Sequence, residues 1–384
     1  MDAGDIQALR MAVRAALDVH ATPRMVEEWD VSHGTPRSVI TELAKLGVCG
    51  VTIPPEYGGA GREVLAALAV VEEIGRRSHS LAGMYWAHVA YVGLNISAAG
   101  TQEQKRRFLP AAAQGRMLFA YGLSEPNVGG DLASVETTAD RHGDTLVVNG
   151  AKRWTSLADI ADYIYALVRT GPSDERRRNL SFVLIPTDAP GVEITPIRTM
   201  GDAGVSHCDV RLTDVRVPVE NVVGGEARWN DGWSLLTGPA LEIEKLGIPA
   251  MALGIAGAAV DEAWEYSQQR TQFGQRICAH QAIRHTLADA RTKLHACRLV
   301  LQHAGELVEK GQPSGVETAM AKLFVADTAK DIVLACQQVM GAYGYAHGFG
   351  MQRYVRDVLA LPIVGGSSAI QRNNIVNLLK LPRA

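Results

Sequence analysis

The chain has 384 residues, of which 47 % are hydrophobic and 21 % charged, with 38 Lys+Arg against 41 Asp+Glu for a formal net charge of −3. That length supports a large core and more than one domain, and so balanced a charge gives no basis for binding nucleic acid or an anionic membrane surface. The five cysteines (Cys49, Cys208, Cys278, Cys297, Cys336) are scattered without a Cys-x-x-Cys pair, which argues for reduced, buried thiols in a cytoplasmic protein and against disulfides or a metal site.

The first residues carry no basic stretch followed by an apolar one, so secretion is not expected. From residue 1 to 118 the chain is Ala- and Leu-rich with helical spacing, as at Ile6, Leu9, Val13 and Leu17. The stretch TIPPEYGGAG (Thr52–Gly61) reads as a loop, because paired Pro and paired Gly end helices. From 119 to 225 the texture turns to β: DTLVVNGAKRWTS, DYIYALVRT, LSFVLIPTD, VEITPI and CDVRLTDVRVP are short runs bounded by Gly, Pro, Asp and Asn. From 226 to 384 helical patterns return, over 241–269, 281–309 and 316–340. The apolar run Gly247–Val260 is too short to span a bilayer and reads as a buried helix. Helices, a β block and helices again make an α+β chain, mostly α. GAYGYAHGFG (Gly341–Gly350) follows a helix and contains no G-x-G-x-x-G, so it is not a Rossmann phosphate loop.

Five segments then fall into one order. GLSEPNVGGDLAS (Gly122–Ser134) opens the β zone, GAKRWTS (Gly150–Ser156) ends a strand, and RTQFGQRI (Arg270–Ile277) closes a long helix. With EYGGAG and YVRDVLALPIVGGSSAIQRNNI, the chain resembles the acyl-CoA dehydrogenase family of flavoproteins from its first helix to Leu381. The resemblance implies an N-terminal helical domain, a middle β-barrel-like domain and a C-terminal four-helix bundle. It also implies FAD between them and a homotetramer built as a dimer of dimers. The implied reaction is α,β-dehydrogenation of an acyl-CoA, with an electron-transferring flavoprotein as acceptor.

Carried over by position, Tyr121, Leu123 and Ser124 line the flavin ring and its hydrogen-bonding edge. Gly129 and Gly130 belong to the same cofactor loop, Gly130 standing where the family has a serine. Trp154, Thr155 and Ser156 form a second flavin wall, with Trp154 on the dimethylbenzene side. Arg270, Gln272 and Phe273 match a segment that reaches the FAD diphosphate and adenosine of a neighbouring subunit, a task suited to the planar guanidinium fork. Gln338 and Gly341 match an adenosine site, and Ser367 a hydroxyl near the phosphate end. Ala369 replaces a polar residue at the adenosine end.

The resemblance implies a displaced catalytic base. Many members carry Tyr-Glu-Gly-Thr where this chain has Val364, Gly365, Gly366 and Ser367, and the Glu removes the α-proton while the β-hydrogen leaves as hydride. A positioned base contributes about 10²–10⁴-fold, so its loss must be compensated. Glu244, in PALEIEKLGI, falls where members resembling isovaleryl-CoA and long-chain acyl-CoA dehydrogenases carry the acid. Residues two apart point about 200° from each other around a helix, so only one of Glu242 and Glu244 can enter the site, and the resemblance selects Glu244. Gly365 keeps the backbone N–H that, by resemblance, binds the thioester carbonyl, and its missing side chain leaves room for a branched or bulky acyl group. Pro249 is expected to kink the helix that carries Glu244. Arg270 lies about 39 Å along that helix from Glu244, which fits a cofactor shared between two subunits. Tyr85 and Trp86 are candidates both for an acyl tunnel and for core.

Three other readings stay open at this level. The thioester can be presented on a carrier protein, the chain can be a non-catalytic subunit of a heteromer, or the flavin can react with oxygen.

Overall fold

Capping groups and prolines set where the helices begin. Asp2 and Asp5 form a reciprocal capping box ahead of helix Ala3–His20, and Thr22 caps Pro23–Ser32 with Pro23 in its first turn. Helix Val64–Arg77 is buried on nearly every face because it lies between Ala3–His20 and the long helix Pro239–Gln269. Two acids in its last turns, Glu72 and Glu73, survive that burial through Arg10, 2.6 Å from Glu72 and 3.0 Å from Glu73, and Arg298, 2.7 Å from Glu72. These pairs tie the first helix to helix Gln281–Glu309 at the far end of the sequence. The computed structural model describes residues 1–382; residues 383 and 384, the end of the expected C-terminal segment, lie outside the described residues.

Helix His79–Trp86 runs into a π-helical stretch, Ala87–Leu94, in which every residue but Tyr91 is buried. Such π segments are uncommon and recur near functional sites. This one faces the middle domain.

The strands are β1 (Phe119–Gly122), β2 (Thr138–His142), β3 (Thr145–Ser156), β4 (Tyr163–Arg169), β5 (Leu180–Pro186), β6 (Val192–Ile197) and β7 (His207–Pro218). They form one curled seven-stranded sheet in the order β1-β4-β2-β3-β7-β6, with β5 on β4. β1 and β4 are parallel, while β2–β3, β3–β7, β4–β5 and β6–β7 are antiparallel. Strand β2 has no counterpart in the hydrophobic pattern, because three of its five side chains are exposed.

In the last part, Pro239–Gln269, Gln281–Glu309 and Gly315–Met340 pack on one another, with Met351–Val358 and Ser368–Leu378 added against them. One expectation changes here. Helix Pro239–Gln269 is by itself long and apolar enough to cross a membrane, so length does not mark it as soluble core; its packing does, since 89 % of its apolar window is buried inside the fold. The helix continues past Pro249. All five cysteines are free, four of them buried and Cys278 partly exposed.

One buried ion pair fixes the loop Leu123–Glu125 onto the sheet. Lys152 on β3 is fully buried, 2.7 Å from Glu125, and it also donates to the carbonyls of Leu123 and Leu167. Glu125 in turn accepts from the backbone N–H groups of Glu136 and Thr137. Burial pulls the Lys152 ammonium down to about 8 in spite of Glu125, so the pair is held by geometry more than by charge alone. Lys152→Ala is expected to cost about 3–5 kcal/mol, because Glu125 is left as an unpaired buried charge; a urea midpoint unchanged from wild type would contradict this.

Candidate active site

Glu244 lies in the second turn of helix Pro239–Gln269, which starts at Gly238-Pro239 with proline in the first helical positions. Its neighbour Glu242 points the other way, where Lys245 Nζ donates to it at 2.9 Å and the Thr318 hydroxyl of helix Gly315–Met340 also donates to it. That leaves Glu244 on the face turned toward β1, near enough to the Tyr121 hydroxyl for each to act on the other's ionisation. Trp86 fixes the backbone there: its indole N–H donates to the Glu244 carbonyl at 3.3 Å. The indole lies against Gly247, where a Cβ would come within 2.3 Å of the ring. Trp86 is therefore core and a positioning contact at once, while Tyr85 is fully buried with its hydroxyl on the Val48 carbonyl.

Burial pushes the Glu244 carboxyl up to about 8, against the opposing pull of the Tyr121 hydroxyl and the Lys245 charge. The residue as a whole keeps partial exposure. An acid of this kind is poised to take up a proton near neutral pH.

Two tyrosines that the sequence does not announce share this pocket. Tyr91, from the π-helical stretch, meets the Tyr121 ring at 4.5 Å in a tilted arrangement, and Tyr165 of β4 meets Tyr121 at 5.5 Å. Burial, reinforced by the Glu244 charge, raises both of their phenols above the ordinary value. The alternation of Tyr163 and Tyr165 along β4 was the one available signal for Tyr165. Tyr91 had none, because a π-helical register cannot be read from period-3.6 spacing.

The late loop comes to the same helix. Gly365 and Gly366 both have left-handed backbones, with φ of 62° and 78°. A Cβ on Gly365 would come within 3.0 Å of Ile248 Cγ1. Ile248 is one helical turn beyond Glu244, so Gly365 abuts the face that carries the acid. Gln371 donates to the Gly366 carbonyl at 3.0 Å, and Ser368 Oγ donates to Asp327 at 2.7 Å, which together pin the loop to helix Gly315–Met340. Ser367 caps helix Ser368–Leu378, accepting from the Ile370 N–H.

A second surface lies at the end of β3. A bulge between Arg153 and Thr155 places Trp154 at φ 64° with its indole 55 % exposed. Ser156 is half-buried, whereas the Thr155 side chain is fully buried with its hydroxyl unpaired, so it backs this surface from within. Across from it, Leu123 and Ser124 are half-buried, the Ser124 carbonyl accepting from the Arg153 N–H at 2.9 Å. Gly129 and Gly130 are exposed in the same loop, Gly130 close to Ile370 of the last helix.

The remaining predicted residues stand apart from this cluster. Arg270, at the far end of the Glu244 helix, lies over the Tyr343 ring at 5.4 Å. The two-residue hairpin Thr271–Gln272/Gln275–Arg276 turns at Phe273 and Gly274, both with positive φ, and leaves Phe273 93 % exposed. Gln338 and Gly341 are exposed where helix Gly315–Met340 ends.

The raised Glu244 carboxyl has a consequence for stability. Its folded value lies above its ordinary one near 4.5, so the folded state holds this proton more tightly than the unfolded state does. Wild-type stability should therefore fall, relative to Glu244→Gln, as pH rises from about 4.5 through 8. The variant is expected to melt a few degrees higher than wild type above pH 8, with the gain fading toward pH 5. A gain that is constant with pH would sink this account.

Comparison with known proteins agrees with the geometry. The chain matches the acyl-CoA dehydrogenase N-terminal domain over residues 4–116, the middle domain over 120–215 and the C-terminal domain over 230–379. It is 36 % identical to cyclohexane-1-carbonyl-CoA dehydrogenase of Geobacter metallireducens over 337 residues, 87 % of each chain. Its structure is similar to butyryl-CoA dehydrogenase of Megasphaera elsdenii, with a TM-score of 0.93 at 29 % identity over 99 % of this chain and 100 % of that one. It is also similar to the prolyl acyl carrier protein oxidase AnaB, with a TM-score of 0.89 at 26 % identity over 99 % of this chain and 100 % of that one. With all three domain models matched in order, the chain belongs to the acyl-CoA dehydrogenase family, whose members are FAD-binding oxidoreductases acting on acyl-CoA thioesters.

Proposed function

We propose that this chain oxidises an acyl-CoA to the trans-2-enoyl-CoA with Glu244 as the base that takes the α-proton. The observation that carries the reading is the juxtaposition of Glu244 and Gly365: an acid with a carboxyl pushed up to about 8 on one side, and on the other a glycine loop abutting Ile248 one turn along the same helix. Glutamate at 365 would need a left-handed backbone and would crowd Ile248, so the acid belongs on the helix.

The residues fit the family's cofactor. A large indole at Trp154 is held exposed by a bulge, and half-buried Leu123, Ser124 and Ser156 lie near it, which is a wall suited to a flat ring with polar edges. When bound, FAD supplies the acceptor for the β-hydrogen as hydride. Glu244 binds the α-proton on its carboxylate, and the Tyr121 hydroxyl holds that carboxylate in line. The Gly365 N–H offers a hydrogen bond to the thioester carbonyl as negative charge develops on it. The exposed hairpin at Phe273, with Arg270 and Gln272, reaches the cofactor of a second copy, which supports a homotetramer; Gln338 and Gly341 complete the adenosine end. Electrons leave to an electron-transferring flavoprotein, and the site works in the cytoplasm.

The likeness to a prolyl acyl carrier protein oxidase supports a second reading, in which the same oxidation acts on a thioester held by a carrier protein. Anaerobic titration with acyl-CoAs, following the oxidised-flavin absorbance, separates these. Wild type should be bleached by one acyl class, while Glu244→Gln binds the same thioester and is bleached about 10²–10⁴-fold more slowly. Bleaching of the variant at the wild-type rate would remove Glu244 as base. Response only to carrier-bound thioesters would favour the second reading, and a chain that retains no flavin would point to a non-catalytic subunit.

A further inference from the structure

Behind the β3 surface lies a chain of polar groups that the dehydrogenation does not use. Ser156 and His207 are paired partners on β3 and β7, and Ser156 Oγ is 2.8 Å from His207 Nδ1. The other ring nitrogen, Nε2, is 3.1 Å from Asp202 Oδ2. Asp202 sits in the loop before β7 with a left-handed backbone, φ 55°, a strained conformation for a non-glycine residue. It is held from two further sides: Ser80 Oγ donates to its Oδ1 at 2.8 Å, and its own N–H donates to Asp357 Oδ1 at 2.7 Å. His207 and Asp202 are only 16 % and 14 % exposed, so this is an interior arrangement.

Its electrostatics favour a protonated imidazole. Burial lowers the His207 value, but the hydrogen bond and charge of Asp202 outweigh it and leave it raised. Burial also raises Asp202, and the charges of His79 and His207 together with the Ser80 hydrogen bond reverse that and leave it lowered. The other titratable or charged groups around the pair are His79, 3.8 Å from Asp202, and Asp357, which burial pushes up to about 6, with Arg353 beyond it. Asp159 and the Asp209–Arg153 pair flank the adjoining Cys208.

We propose that His207 and Asp202 are positioning residues that set which way the Ser156 hydroxyl faces the flavin, His207 carrying a proton that moves with the oxidation state of the cofactor. This rests on the reading that Ser156 lines the flavin. With His207 protonated, Nε2–H donates to Asp202 and Nδ1–H donates to Ser156 Oγ, so the serine hydrogen is free to donate to a bare ring nitrogen of the oxidised cofactor. With His207 neutral, Nδ1 accepts the serine hydrogen, and Ser156 Oγ offers a lone pair to a ring N–H of the reduced cofactor. When the acyl thioester delivers its two electrons as one hydride, Ser156 turns and His207 releases one proton to solvent. When an electron-accepting flavoprotein withdraws the two electrons, Ser156 Oγ takes the ring N–H proton while its own hydrogen passes to Nδ1, and His207 is protonated again. Protons and electrons balance over the cycle.

The test is the midpoint potential of the bound flavin against pH, between about pH 5 and 9, in Glu244→Gln so that the other titrating acid is absent. The line should bend, with one proton fewer taken up per two electrons between the two His207 values than outside them. Adding His207→Gln should remove the bend, and Asp202→Asn, which keeps the hydrogen-bonding shape but not the charge, should move it to lower pH. A straight line in Glu244→Gln alone, or an unchanged bend with His207→Gln, overturns the relay; a purely structural role for the dyad would leave the bend in place. Ser156→Ala separates the two layers. If it leaves the flavin spectrum and potential unchanged, the placement of Ser156 on the flavin fails and the relay with it; if it shifts them while His207→Gln does not alter the bend, only the relay fails.

Discussion

Much of this structure depends on how closely two helices approach. A Cβ on Gly254 would lie 2.4 Å from the Glu72 carbonyl, and one on Gly75 would lie 3.2 Å from the Met251 carbonyl, so glycine on both sides lets helices Val64–Arg77 and Pro239–Gln269 touch backbone to backbone. That contact sets the depth of the long helix in the fold. Once it is set, Gly247 meets the Trp86 indole, the Glu244 carbonyl receives the indole N–H, and the carboxyl is aimed at Tyr121. The ion pairs of Arg10 and Arg298 with Glu72 lock the same region from either end of the sequence. The acid is thus placed by close packing, and its protonation follows from the burial that packing imposes.

The fold was largely legible because its long elements obey simple periods. The helices expected over 241–269, 281–309 and 316–340 are observed at 239–269, 281–309 and 315–340, and the five β runs are strands β3 to β7. What escaped were elements whose character is not apolar: β2, with most of its side chains in solvent, and the π-helical turn, whose spacing differs from that of the helix leading into it. Within the site, the opposed directions of Glu242 and Glu244 followed from helical geometry alone. Tyr91, Tyr165 and the Ser156–His207–Asp202 chain did not, because they are brought together by sheet register and by a left-handed residue in a loop. The flavin-facing roles proposed here rest on family likeness, which spacing and composition could not supply.

Two polar devices in the middle domain divide the labour. The Lys152–Glu125 pair spends its hydrogen bonds on backbone groups and holds the Leu123–Ser124 loop still. The Asp202–His207 pair directs its free valence to a half-buried serine at the surface and includes an imidazole, the side chain suited to exchanging a proton. One rigidifies, and the other can respond. Both are satisfied networks, which is what makes their burial tolerable.

The exposed glycine loop has an implication for how freely this molecule can be altered. Chemistry anchored on a deeply packed helix is tied to the core, where nearly every substitution disturbs a neighbour. Residues 363–366, by contrast, are exposed and carry no acid, and Gln371 holds the loop through the Gly366 carbonyl, a backbone group. With Glu244 as the proposed base, reactivity sits on the helix and not on this short loop. The loop's flanks at Ile363 and Val364 thus become the natural positions to diversify when recruiting the scaffold to new acyl groups, since randomising them leaves the proposed base on its helix.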